Sequence, residues 1–236
     1  MAEHHEIYEK NADIYDNLVS HEDYSGNILT EIERLLPLSE KDVVEMGAGT
    51  GRLTGILAPA VNSIKAFDTS QHMIDFGKDK LNKLNLSNFS FAVADNREIP
   101  LPDNCADLVV SGWSIGYFAS WKNKNWKKDT HKAVNEMNRM LKPGGVALII
   151  ETLGTGHEKP VEPTSELSEY YSYLENELGF SRSWIRTDYK FSSVDDAENT
   201  VRAFFGDELG DYLKNNNTAI LPECTGFWAY KSNKIL

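Results

Sequence analysis

The run Glu45-Met46-Gly47-Ala48-Gly49-Thr50-Gly51 places an acid directly ahead of closely spaced glycines, at the end of the β-branched pair Val43-Val44. Glycines in such a loop let backbone N–H groups approach a ligand and leave the start of the next helix facing it. Asp68 closes the next apolar run about 20 residues on, where a carboxylate accepts hydrogen bonds from ribose hydroxyls. These residues predict a site for a nucleoside-bearing cofactor. The spacing is Gly-x-Gly-x-Gly, not the Gly-x-Gly-x-x-Gly that cradles a pyrophosphate, and Glu45 adds negative charge. A cationic ligand suits that loop better than a diphosphate. A plain strand-to-helix turn would explain the glycines but leave Glu45 and Asp68 without a role.

Such a loop needs a sheet to carry it. From residue 42 onward, short β-branched runs alternate with amphipathic stretches, the pattern of a parallel sheet wrapped by crossover helices. Strands are predicted over 43–46, 63–67, 89–94, 107–111 and 146–151. A helix over 71–84 carries Ile74, Gly77, Leu81 and Leu84 on one stripe. Another carries Ala133, Val134, Met137, Met140 and Leu141 and should stop in a turn at Lys142-Pro143-Gly144-Gly145. Residues 1–38 read as a separate helical arm over a domain of residues 39–236, with Tyr8, Ala12, Tyr15 and Leu18 or Val19 at helical spacing. After residue 151 comes a long connection with Gly154, Gly156, Pro160 and Pro163, then a helix bearing Tyr170 and Tyr171. The stretch 152–179 is expected to act as a lid. A strand over 180–191, a helix over 194–213 broken near Gly206, and a last strand over 224–231, hairpinned to the preceding one, should follow.

Composition narrows the class of function. The 236 residues hold 36 acidic against 24 basic side chains, a formal net charge of -12, which opposes nucleic acid. Lys122, Lys124, Lys127, Lys128 and Lys132 cluster around Trp121 and Trp126, but their alternation with polar residues reads as a solvated helix face. Cys105 and Cys224 lie far apart without Cys-x-x-Cys spacing, so neither a disulfide framework nor a zinc knuckle is expected, and free thiols suit the cytoplasm. No apolar run is long enough to span a bilayer, so no membrane span is expected. His4-His5 reads as part of the terminus and no metal site is predicted; Asn-x-Ser/Thr matches at Asn85, Asn88 and Asn216 carry no glycosylation expectation.

With these residues in view, the sequence resembles the class I S-adenosylmethionine-dependent methyltransferases, especially the small-molecule branch that includes the ubiquinone and menaquinone biosynthesis methyltransferases. The resemblance runs from about residue 42 to residue 150. It implies a doubly wound, Rossmann-like α/β fold with a seven-stranded, mostly parallel sheet and helices on both faces. It also implies S-adenosyl-L-methionine as cofactor. Glu45, Gly47, Ala48, Gly49, Thr50 and Gly51 match the family's cofactor loop, Asp68 its ribose acid with Thr69 beside it, and Met73 the residue against the adenine. Asp95-Asn96 matches the segment reaching the adenine amino group, although Asp95 also suits a cap or turn. Ser111 closes the counterpart of the fourth strand, and Tyr15 of the arm is added to the cofactor contacts. After that strand many relatives carry a histidine pair, whereas this chain reads Gly112-Trp113-Ser114-Ile115-Gly116-Tyr117-Phe118, so the quinone acceptor is not carried over.

The implied activity is methyl transfer to a small molecule through an O, N, S or C nucleophile. Positioning should dominate, with a base needed only for a protonated acceptor. Tyr15, His21, Tyr117 and His157 are the candidates, since the arm and the loops after the fourth and fifth strands should border the acceptor. A non-catalytic sensor or partner subunit binding S-adenosylmethionine or S-adenosylhomocysteine is the alternative. A nicotinamide-dependent oxidoreductase is disfavoured by the glycine spacing.

Overall fold

In the computed structural model, residues 12–84, 86–120 and 123–234 are described. Tyr8, the His4-His5 pair, Asn85, and Trp121 and Lys122 of the lysine cluster lie outside them. The strands are β1 (Asp42–Met46), β2 (Ser63–Asp68), β3 (Phe89–Val93), β4 (Ala106–Gly112), β5 (Leu141–Thr155), β6 (Ser181–Arg186), β7 (Tyr189–Lys190), β8 (Ile220–Leu221) and β9 (Glu223–Lys231). The helices are α1 (Ala12–Val19), α2 (Asn27–Leu35), α3 (Arg52–Leu57), α4 (Gln71–Asn82), α5 (Tyr117–Ser120), α6 (Trp126–Met140), α7 (Ser165–Asn176), α8 (Val194–Phe205) and α9 (Asp207–Asn215).

A seven-stranded sheet forms in the order β3-β2-β1-β4-β5-β9-β6, parallel from β3 to β5 and antiparallel at β9 and β6. The chain winds outward in one direction from β1 to β3 and in the other from β4, so a crevice opens at the carboxyl ends of β1 and β4. Alternation along the strands gives each face its own core. Val44, Met46 and Ile149 join Tyr170, Tyr171 and Trp228 on one side, and Val43, Leu148 and Ile150 join Ile28, Ile32 and Phe227 on the other.

Several boundaries differ from the sequence reading. The turn expected at Lys142-Gly145 is a bulge inside β5: Ala106 pairs with Leu141 and Leu108 with Val146, and the extra residues are absorbed with Gly144 at φ 76°. The strand expected over 180–191 divides, because β6 joins the main sheet while β7 pairs with β8 in a separate two-stranded sheet. β9 inserts between β5 and β6, which its burial on both faces permits. Within 152–179, α7 is part of the core. Tyr170 and Tyr171 are fully buried, Tyr171 stacks on Trp228 at 4.4 Å, and its hydroxyl donates to Thr152 O at 2.6 Å. Residues 157–166 are exposed.

Of the arm, α1 lies against α4 beside the glycine-loop half of the sheet, whereas α2 reaches β6 at the opposite edge, where Asn27 Nδ2 donates to Arg186 O at 2.8 Å. Lys80 Nζ of α4 meets Asp16 Oδ1 of α1 at 2.6 Å. Asp23 then caps α2, its carboxylate accepting from Asn27 N and Ile28 N at 2.8 and 2.9 Å.

Candidate active site

β1 ends on Met46, and Gly47, at φ 76°, turns the chain over the edge of the sheet. Its lack of a side chain is needed for space as well, since a Cβ would stand 1.9 Å from Ser114 Oγ. The turn is tied to β2 by Gly47 N and Ala48 N, which donate to Phe67 O at 2.7 and 2.9 Å. Asp68 holds the loop from the next strand end: Oδ2 accepts from Gly49 N and Oδ1 from Ser70 N, both at 2.8 Å.

Over this edge lies a cavity of about 560 Å³, within the usual size range of small-ligand sites. Of the residues singled out by sequence, Tyr15, Glu45, Gly47, Ala48, Gly49, Thr50, Asp68, Thr69, Met73, Asp95, Asn96 and Tyr117 line it. Gly51 and Ser111 stand outside the lining. Gly51 faces Phe91, and Ser111 is fully buried in β4. His21 and His157 are also elsewhere: His21 packs at a tilt against Phe191, ring centroids 4.6 Å apart, and its Nδ1 meets Lys190 O at 3.1 Å, while His157 is exposed beyond β5. Tyr15 and Tyr117 are therefore the base candidates that border the cavity.

The acids in the wall are in unequal states. Glu45 is 2% exposed, accepts from Thr54 Oγ1, and is pushed up to about 8 by burial, with the charge of Asp68 adding to the effect. Burial also raises Asp68. A cationic group in the cavity would favour ionisation of both, which fits a sulfonium and an ammonium better than a phosphate. Asp95 is held low chiefly by Arg97, whose Nε and Nη2 reach its two oxygens at 2.9 and 2.6 Å. Asp95 lines the cavity with this pairing in place. Thr50 Oγ1 is buried and has no hydrogen-bond partner among the described residues.

The opposite wall includes residues that the sequence did not single out as ligand contacts. Trp113, Ser114 and Phe118 follow β4, and Arg52 lies across Trp113 with its guanidinium 4.1 Å from the ring centroid. Glu151 supports this wall from behind. Its Oε1 accepts from Gly116 N at 2.9 Å, and burial pushes its carboxyl up to about 8. Arg52 adjoins the loop motif, but the residue that holds it, Glu22, sits 30 positions away. For Glu151 the only sequence signal is an acid ending an apolar strand.

Residues 44–149 match the family model described as a methyltransferase domain. The matched stretch carries the glycine loop, Asp68 and the segment after β4. A malonyl-[acyl-carrier protein] O-methyltransferase of Marinomonas sp. is 31% identical to it over 140 residues, 58% of this chain and 47% of that protein. The ubiquinone/menaquinone biosynthesis C-methyltransferase UbiE of Vibrio cholerae is 31% identical over 136 residues, 56% of this chain and 47% of that protein. The chain thus spans about half the length of these curated relatives. Among solved structures, phosphoethanolamine N-methyltransferase 2 of Haemonchus contortus, in complex with S-adenosyl-L-methionine, aligns with a TM-score of 0.61 at 17% identity. That alignment covers 97% of this chain and 60% of that one. The [4+2]-cyclase SpnF aligns at 0.63 with 15% identity, covering 96% and 94%. At these identities the likeness to solved structures is one of fold. The methyltransferase core shares its architecture with proteins named for different reactions, so the reaction has to be argued from the cavity.

Proposed function

We propose that this chain transfers the methyl group of S-adenosylmethionine to a small-molecule acceptor. The observation that carries the reading is a single cavity with the acidic glycine loop on one side and Tyr15, Trp113, Tyr117 and Phe118 on the other. When bound, the cofactor supplies an electrophilic sulfonium methyl. Asp68 would take the ribose hydroxyls, Met73 would pack on the adenine, and Glu45 would face the cationic end. The aromatic wall would exclude water and fix the acceptor in line with the methyl. Alignment of that kind supplies on the order of 7–11 kcal/mol in favourable models. For an acceptor that still holds its proton, Tyr15 and Tyr117 are the side chains in reach, worth roughly 10²–10⁴-fold.

In this reading residues 1–38 serve as the cap and 39–236 as the catalytic unit, and the exposed part of 152–179 is the portion that would close over the acceptor. The two free cysteines support a cytoplasmic site of action. Among the described residues no helix is long and apolar enough to cross a membrane.

Isothermal titration calorimetry with S-adenosylmethionine, S-adenosylhomocysteine and NAD tests the cofactor. Saturable binding of the first two alone is expected; binding of NAD alone would overturn the reading. Screening acceptors with labelled methyl groups then separates an enzyme from a sensor, which would bind and never turn over.

A further inference from the structure

Asp95 lines the cavity with its side chain 39% exposed, so a ligand can reach it. Its carboxylate is gripped by Arg97 through both side chain and backbone. Nε donates to Oδ1 at 2.9 Å, Nη2 to Oδ2 at 2.6 Å, and the Arg97 amide N to Oδ1 at 2.8 Å. The guanidinium is itself fixed from two further directions. Its Nη1 meets Asp129 Oδ1 of α6 at 3.1 Å, and its carbon stands 5.5 Å from the ring centroid of Phe118, which lines the cavity from α5. Asp129 is anchored in turn, its Oδ2 accepting from Asn123 Nδ2 at 2.7 Å.

Ion pairs between partly exposed side chains add little to stability. What a bidentate pair supplies is direction, because two parallel N–H bonds hold the carboxylate in the plane of the guanidinium. An ionised carboxylate has about four acceptor positions. Arg97 fills three of them, two on Oδ1 and one on Oδ2. The position left, on Oδ2, takes an N–H or O–H donor and repels a carbonyl oxygen. With the ribose hydroxyls assigned to Asp68 and the cationic end to Glu45, the donor that S-adenosylmethionine has left is the amino group of its purine.

We propose that Arg97 is a positioning residue that sets the base specificity of this cavity. It holds the Asp95 carboxylate so that its one remaining acceptor position takes a purine amino group and turns away the carbonyl of a 6-oxopurine. The inference rests on reading the cavity as an S-adenosylmethionine site.

The test is calorimetry on the full chain with S-adenosylhomocysteine and S-inosylhomocysteine, which carries a carbonyl in place of the purine amino group. Wild type is compared with Asp95→Ala, Arg97→Gln and Arg97→Lys. The readout is the ratio of the two affinities, since a variant that only loosens the fold weakens both nucleosides together and leaves the ratio unchanged. Arg97→Lys keeps a cation between Asp95 and Asp129, so the test stands even if Arg97→Gln fails to fold.

Wild type should prefer S-adenosylhomocysteine by about tenfold or more, as expected for a hydrogen bond to a charged group. Asp95→Ala should lose that preference. Arg97→Gln should bring the ratio to within about threefold of unity, and Arg97→Lys, with the charge but not the fork, should fall between. A wild-type ratio in both Arg97 variants, whether or not the separate affinities fall, would mark Arg97 as structural and overturn the proposal. Wild type that binds both nucleosides alike would also overturn it and leave the cofactor reading standing. Wild type that binds neither would overturn the cofactor reading, and this inference with it.

Discussion

The two walls of the cavity are built in different ways. The glycine-loop wall comes mostly from one continuous stretch, residues 45–52, joined by the ends of β2 and β3; the opposite wall combines Tyr15 from the arm with the segment after β4, backed by Glu151 of β5. Each wall has a glutamate from a central strand, in it or behind it, that burial pushes up to about 8. Glu45 lines the cavity, where a cationic ligand can compensate its charge. Glu151 does not. It accepts a bond from Gly116 N in a space where a Cβ on Gly116 would fall 2.9 Å from its Oε1. The same shift therefore marks a ligand-facing group in one wall and a fixed internal support in the other, and only the surroundings distinguish them.

The largest expected effect comes from the point where the walls touch. Gly47→Ala would drive a Cβ into Ser114 at a residue with φ 76°, and should cost about 3 kcal/mol or more of stability in thermal or denaturant unfolding. A near-neutral result would mean that the walls are not interlocked. Asp68→Ala breaks the loop wall alone. It should weaken S-adenosylmethionine binding by roughly 1–3 kcal/mol in calorimetry, and unchanged affinity in a folded variant would remove Asp68 from the site.

Glu151→Gln sharpens the contrast through pH. Burial raises the folded carboxyl from the ordinary 4.5 to about 8. As pH climbs past 4.5 the unfolded chain ionises first, so wild-type stability declines until pH reaches 8, where the folded group ionises too. Glutamine keeps the acceptor for Gly116 N and cannot ionise, so the variant should gain on wild type across that window in denaturant titrations at stepped pH. Parallel curves would place the proton elsewhere. The smallest effect concerns the arm. Lys80→Ala removes the pair with Asp16, whose side chains are 32% and 16% exposed, and should cost about 0.5–1 kcal/mol, less at high salt.

Legibility in the sequence followed the same division. The loop wall was readable because its residues are neighbours in the chain, with the acid and the glycines at fixed offsets and Asp68 one crossover away. The strands β1 to β4 were readable to within a residue or two for a related reason, since each is a short buried run bounded by turn residues. β5 was not, because Pro143 and Gly144 read as a stop yet form a bulge that the partner strand tolerates. His21 and His157 followed from chemical type and expected loop position, and their surroundings turned out to be an aromatic ring and open surface. Arg52 could be seen beside the motif, but its placement depends on Glu22 and Trp113, which no local pattern links to it.

Local order in the chain thus determined the parallel sheet, the position of the crevice at the ends of β1 and β4, and the acidic glycine loop, because hydrophobic period and backbone freedom act over a few residues. The tertiary structure decided which side chains face the cavity from the other side, that β9 threads between β5 and β6, and that of two buried glutamates Glu45 lines the cavity while Glu151 stands behind its wall. Those outcomes depend on contacts between distant segments, where burial and charge are set by whatever the fold brings alongside.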